Sequence, residues 1–318
     1  MARLSSLSDD SARALGADFG LEVAVVEPLD LGSVNSNFRF RTRDGKAYFA
    51  RIYEEQASSG ARTELELLSC LSDQGVPVVR PLAAKDGQSV RVCAGKPFAV
   101  FPWVEGEWLC LQRVRTEHCR EVGAALARVH LARVPESLLG EGRFQPKDML
   151  SRIESVRGRG GFGLERELGL IERKYAEYTR RRDPGLPKGV CHGDLFRDNV
   201  LWQGPRIAAL LDFESVSLGS FVYDLMVTVF AWCFRDGLAE ADAAAMVEGY
   251  AAVRPLSGPE WQALEVEGAF ACLRFATTRI TDFELRRADG AAPGRDFRRF
   301  LTRLAAIEAG ALRPLRKE

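Results

Sequence analysis

Residues 190–214 read VCHGDLFRDNVLWQGPRIAALLDFE. His192, Asp194, Asn199 and Asp212 stand among many apolar residues. Two short runs, NVLW and RIAALLDF, flank Gln203-Gly204-Pro205, which predicts a hairpin over 199–213. In an antiparallel hairpin, residues equidistant from the turn face each other. The midpoint of 199 and 212 falls in that turn, so Asn199 and Asp212 are expected side by side at the open end, with Asp194 in the loop just before. One acid in a loop most often caps a turn. An ordered set of a histidine, two acids and an amide around a hairpin is a far narrower pattern. Oxygen-bearing side chains gathered at one mouth suit a hard cation such as Mg²⁺, which takes few protein groups plus substrate phosphates.

The chain around this stretch is long enough, at 318 residues, for one large domain or two lobes. Lys plus Arg equals Asp plus Glu, at 44 each, so the basic excess of a nucleic-acid or membrane-surface protein is missing. No apolar run is long enough to span a bilayer. MARLSSLSDDSARALG lacks the apolar core of a signal peptide, and the seven scattered cysteines form no CxxC pair. Reduced thiols in the cytoplasm are expected.

Up to residue 103 the chain reads mainly as strands. LEVAVVEPL is β-rich, NFRFRTRDGKAYFARIYE alternates about Asp44-Gly45 as a hairpin, and SVRVCAGKPFAVFPW reads as a further pair. Between them, ARTELELLSCLSDQG has helical spacing at Leu65, Leu68 and Leu71, with Gly75 as its cap. After Trp103 helical patterns dominate, beginning with TEHCREVGAALARVHLARV. An α+β fold is expected, with a β-rich N-lobe over 1–103 and a mostly helical C-lobe over 104–318. The glycine run RGRGGFG (157–163) follows a helical pattern rather than a strand and reads as a loop, not a phosphate cradle.

The spacing D-x-x-x-x-N, followed by a strand ending in an acid, is the layout of a kinase catalytic loop and its metal-binding Asp. HGDLFRDNVLW…LLDFE resembles the Brenner-type motif of the aminoglycoside phosphotransferase and choline kinase superfamily. Further segments, GSVNSNFRF, EHCREVGAALARVH, WCF, EGYAAVRPLS and LRFATTRI, resemble those of bacterial homoserine kinases of the kinase-like type, in the same order. The resemblance implies a bilobal protein-kinase-like fold, ATP and Mg²⁺ as cofactors, and a small-molecule acceptor, homoserine, in threonine biosynthesis. Asp194 would be the base, and Asn199 and Asp212 the metal ligands.

The resemblance makes Gly32, Ser33, Val34 and Asn35 the nucleotide loop; the residues alone fit an ordinary hairpin turn equally well. Arg51 stands where many superfamily members carry Lys, with Glu64 on the following helix as its partner and Glu66 as a rival on another face. Arg51 as a surface strand residue stays open. FAVFPWVEG would join the lobes and hold adenine near Phe101, Trp103 and Val104. For the acceptor, Arg274 and Arg279 are candidates to bind a carboxylate, although an Arg on an amphipathic helix is usually solvated or paired. Tyr223 and Trp232 would wall the site. His192 either orders the loop or borders the acceptor, and Asp224 would anchor the loop. Glu214 departs from the aromatic of DFY in homoserine kinases, and a carboxylate there fits an ammonium group. Kinases for choline, an aminoglycoside or a protein Ser/Thr share these features, as does a pseudokinase.

Overall fold

In the computed structural model, residues 5–30, 34–142, 144–284 and 296–315 are described. They divide into two compact units. The first runs to Glu107 and takes in 134–138 and 201–214, whereas the sequence suggested a single division at 103.

The first unit is built on an antiparallel sheet in the order β1-β2-β3-β5-β4. The strands are β1 (Val23–Leu29), β2 (Ser36–Thr42), β3 (Ala47–Ile52), β4 (Arg91–Cys93) and β5 (Lys96–Pro102). Alternation sets the faces: Phe38 and Phe40 of β2 join Ala50, Ile52, Phe98 and Val100 in the core, while Arg39 and Arg41 point away. Register places Asn37 directly opposite Arg51. Helix α2 (Ser58–Asp73) buries Leu65, Leu68 and Leu71 and ends before Gly75, whose φ of 75° is the left-handed turn glycine allows. Helix α1 (Asp9–Asp18), which the strand-dominated reading missed, starts at Ser8, whose side chain accepts from the Ser11 backbone N–H. The 201–214 segment joins this unit because Glu107 and Trp202 exchange backbone hydrogen bonds of 2.9 and 3.0 Å.

The second unit is mostly helical. It holds α3 (Thr116–Leu131), α4 (Pro146–Gly158), α5 (Glu165–Arg181), α6 (Phe221–Trp232), α7 (Glu240–Val253), α8 (Gly258–Arg279) and α9 (Arg298–Glu308). Helix α6 is apolar on nearly every face and sits in the core. Helices α3 and α7 cross where each presents a glycine: a Cβ on Gly123 would lie 2.0 Å from the Met246 carbonyl, and one on Gly249 2.1 Å from that of Arg120. Strand β6 (Lys188–Cys191) pairs antiparallel with β9 (Ser217–Ser220). Between them in sequence, and from Leu201 onward part of the first unit, β7 (Val200–Gln203) and β8 (Arg206–Leu210) form a hairpin that turns at Gly204-Pro205 and ends at Leu210, short of the expected 213. The 157–163 glycine run spans the end of α4 and a short turn before α5. Among the described residues no disulfide forms, and no helix is long and apolar enough to cross a membrane.

Candidate active site

Strand β6 delivers His192-Gly193-Asp194 into a loop that α6 holds by its backbone. Asp224, fully buried on α6, accepts from the N–H of His192 at 2.6 Å and from that of Gly193 at 2.7 Å. Gly193 has φ 74°, and a Cβ there would lie 3.1 Å from the Ser215 carbonyl, so the tight approach needs glycine. His130, at the end of α3, completes the anchor with Nε2 3.0 Å from Asp224 Oδ2 and Nδ1 2.6 Å from the Tyr250 hydroxyl. A carboxylate only accepts, which assigns the ring proton to Nε2 and makes Nδ1 the acceptor from Tyr250. Burial opposes the Asp224 charge, but the His130 hydrogen bond and the loop N–H groups outweigh it and hold the carboxyl below its ordinary range. Burial also pushes the His130 imidazolium down, consistent with a neutral ring.

Asp224→Ala is expected to strand these buried donors and to destabilise the protein by about 3–5 kcal/mol, the usual loss on removing one member of a buried charged network. Chemical denaturation monitored by circular dichroism checks it. A loss below about 1 kcal/mol, the net worth of one ordinary hydrogen bond, would mean that the loop is anchored elsewhere.

The loop presents Asp194 half-buried, with 29% of its side chain exposed. Its backbone is fixed on both sides: its N–H donates to His192 Nδ1 at 3.3 Å, and its carbonyl accepts from Asn199 Nδ2 at 2.8 Å. Asn199 closes a short helical turn before β7, and with its amide nitrogen so used, its oxygen is the atom a hard cation would take. Trp232, expected to wall the acceptor site, and His192, expected either to order the loop or to border the acceptor, are both fully buried. His192 orders the loop from beneath, and Trp232 Nε1 donates to the Leu195 carbonyl at 3.0 Å, so both support the loop rather than wall a pocket. Tyr223 is half-buried against Phe270. Arg274 lies 3.6 Å from Asp194, whereas Arg279 stands over the Phe300 ring.

The first unit carries a separate charge cluster. Arg51 donates from Nε to Asn37 Oδ1 at 3.2 Å, and its Nη1 lies 3.9 Å from Glu64 and 3.7 Å from Glu214. Glu66 is exposed on the far side of α2, so the rival pairing does not form. Burial, with the negative charge of Glu214 and Asp212 adding to it, raises the Glu64 carboxyl to about 7 against the pull of Arg51. Burial opposes the Arg51 charge, but Tyr53, Glu64, Glu214 and Asp212 outweigh it. Glu214, expected as an ammonium receptor, accepts instead from Asn35 Nδ2 at 2.6 Å, because a short turn after Asp212 swings it towards Arg51. Asn35 Oδ1 in turn accepts from the Glu54 N–H at 3.2 Å. Asp212 is exposed and has φ 61°, a left-handed conformation uncommon outside glycine and typical of strained functional positions. Gly32 and Ser33 lie outside the described residues, next to the half-buried Val34. In the proposed adenine segment, Phe101 is buried in β5, the Trp103 N–H donates to the Ala47 carbonyl at 3.3 Å, and Val104 is half-buried.

A family model described as the phosphotransferase enzyme family matches residues 25–256. The chain belongs to this family. The phosphotransferase is 32% identical over 311 residues to the homoserine kinase of Gluconacetobacter diazotrophicus, covering 96% of each chain. It is 34% identical over 305 residues to that of Phenylobacterium zucineum, covering 93% of this chain and 92% of that one. Among solved structures, spectinomycin phosphotransferase in complex with ADP and spectinomycin superposes with a TM-score of 0.68 at 14% identity, covering 94% of this chain and 96% of that one. The phosphotransferase therefore has the kinase-like α+β fold. Sequence reasoning gave no role to His130, Tyr250, Asn37 or Phe144. His130 carried a signal, since it falls one helical turn after Leu126 on the buried face of α3. Phe144, a lone aromatic in a connecting segment, carried none.

Proposed function

We propose that this phosphotransferase moves the γ-phosphoryl group of Mg-ATP to the side-chain hydroxyl of L-homoserine, a cytoplasmic step of threonine biosynthesis. The observation that supports it most is Asp194, offered on a loop whose backbone is tied to a buried carboxylate. The homoserine name of relatives similar along nearly the whole chain supports the acceptor.

The hydroxyl oxygen attacks the γ-phosphorus, the bond to the β,γ-bridging oxygen breaks, and ADP leaves. Asp194 receives the hydroxyl proton on a carboxylate oxygen. Arg51, kept charged by Glu64 and Glu214, binds the non-transferred phosphates. The donor set of Asn199 and Asp212 is all hard oxygen, which fits Mg²⁺. When bound, the ion neutralises charge on the phosphate oxygens.

The test is ATP consumption by the purified protein against L-homoserine, choline, an aminoglycoside and a Ser/Thr peptide, with and without Mg²⁺. Mg²⁺-dependent turnover highest with homoserine is expected. A clear preference for choline or the aminoglycoside would overturn the acceptor while keeping the phosphotransfer. No turnover with any acceptor would favour a pseudokinase.

A further inference from the structure

The second unit holds several buried or half-buried arginines, and most are satisfied. Arg182 forms two hydrogen bonds to Glu267 at 2.8 and 2.7 Å. Arg254 reaches Glu260 at 2.8 Å, and Arg303 donates to the carbonyls of Phe230 and Arg299. Arg274 on α8 differs. Only 3% exposed, it has its guanidinium carbon 3.8 Å from the Phe144 ring centroid and 3.7 Å from that of Phe275. Two rings therefore crowd the planar group, and hydrogen bonding is left to its edge. Its Nη1 approaches Asp194 Oδ1 only to 3.6 Å, beyond a hydrogen bond, and its Nε is buried with no hydrogen-bond partner among the described residues. A guanidinium carries five N–H donors. Cores rarely keep a buried cation so poorly paired, because unmet donors cost stability.

We infer that Arg274 is the specificity residue of the acceptor site, taking a carboxylate of the acceptor on the guanidinium edge beside Asp194. A planar fork held between aromatic rings is shaped for a carboxylate and replaces the water that the anion loses on entering. The ligand class is an alcohol with a carboxylate a few bonds from its hydroxyl, as in a hydroxy amino acid. Arg279 lacks this placement: its guanidinium lies 4.3 Å from the Phe300 ring centroid, and its Nη1 is 3.5 Å from the Asp296 carbonyl. The inference rests on the phosphotransfer reading above and goes further by assigning one residue to the acid group.

The experiment compares kcat/KM for L-homoserine, its primary amide and 2-amino-1,4-butanediol, in the parent protein and in Arg274→Gln and Arg274→Lys. The parent is expected to favour homoserine over the two analogues that lack the carboxylate by on the order of 100-fold or more, the scale of losing one partner of a buried charge pair. Arg274→Gln should lose most of that preference through KM for homoserine, with KM for ATP barely moved. Arg274→Lys, which keeps the charge and loses the fork, should fall between. It also serves if the Gln variant does not fold. An unchanged homoserine-to-amide ratio in the folded variants would overturn the inference, since a merely structural Arg274 would slow all acceptors alike. Should the parent ignore homoserine, the same variants are read on the acceptor it prefers. A carboxylate-bearing alcohol whose use Arg274→Gln impairs upholds the inference and retires homoserine. A preferred acceptor without a carboxylate, such as choline, overturns it.

Discussion

Asp194→Asn is expected to lower turnover by roughly 10²–10⁴-fold, the usual worth of a positioned acid–base group. The substitution removes the proton acceptor and the negative charge 3.6 Å from Arg274. The backbone of residue 194 is fixed by its hydrogen bonds to His192 and Asn199, and the loop beneath it by Asp224, none of which involves the Asp194 carboxylate. Asn has nearly the same shape, so the loop keeps its course. Nucleotide affinity should stay close to the parent's, because the groups proposed for the nucleotide, Arg51 and Glu64, belong to the other unit of the chain. Steady-state kinetics with nucleotide binding by calorimetry separates the two effects. Near-normal turnover would mean that another group, or solvent, takes the proton. Equal loss of binding and turnover would make Asp194 a positioning residue.

Asp212→Ala is expected to remove activity almost entirely, by on the order of 10³-fold or more, since a metal ion contributes several kcal/mol of charge stabilisation. Two effects combine in this variant and must be separated. Asp212 holds a left-handed backbone at φ 61°. Alanine there adds a conformational cost of roughly 1–2 kcal/mol, whereas Asn tolerates the region. Asp212→Asn therefore keeps the backbone and removes the charge. The carboxylate reading expects both variants to be nearly inactive and both to bind Mg²⁺-ATP much more weakly than metal-free ATP relative to the parent. If affinity for ATP fell equally with and without Mg²⁺, Asp212 would be structural. An active Asn variant beside an inactive Ala variant would assign the role to the backbone bend.

Much of this architecture was legible because local periodicity dictates burial. Alternation in NFRFRT and AYFARI drives Phe38, Phe40, Ala50 and Ile52 to one face of the sheet, and turn chemistry at Asp44-Gly45 joins the two strands. The hairpin of β7 and β8 was legible for the same reason. Helix α1 was not, because its short, polar sequence DDSARALGAD buries only Ala12 and Gly16 and its start depends on the Ser8 cap. Trp232 was expected to wall the acceptor site, and His192 either to order the loop or to border the acceptor. Their burial beneath the loop follows from α6, which is apolar on nearly every face and must sit in the core.

The sequence by itself determined the strand-rich start and helical remainder of the chain, the H-G-D loop with its following Asn and hairpin, and that Glu64 and Glu66 face different ways, since positions two apart on a helix do not share a face. Only the tertiary structure decided the partners that come from distant elements. Arg274 and Arg279 are roughly 140° apart around α8 at 3.6 residues per turn. Helical spacing says that they face different ways, but not which face meets the loop; packing put Arg274 between Phe144 and Phe275 beside Asp194, and Arg279 over Phe300. Glu214 likewise reads as a carboxylate for an ammonium group until the turn after Asp212 aims it at Arg51 and Asn35. Periodicity is written in the local chain, whereas the direction of a buried charge is fixed by whichever distant group completes its solvation.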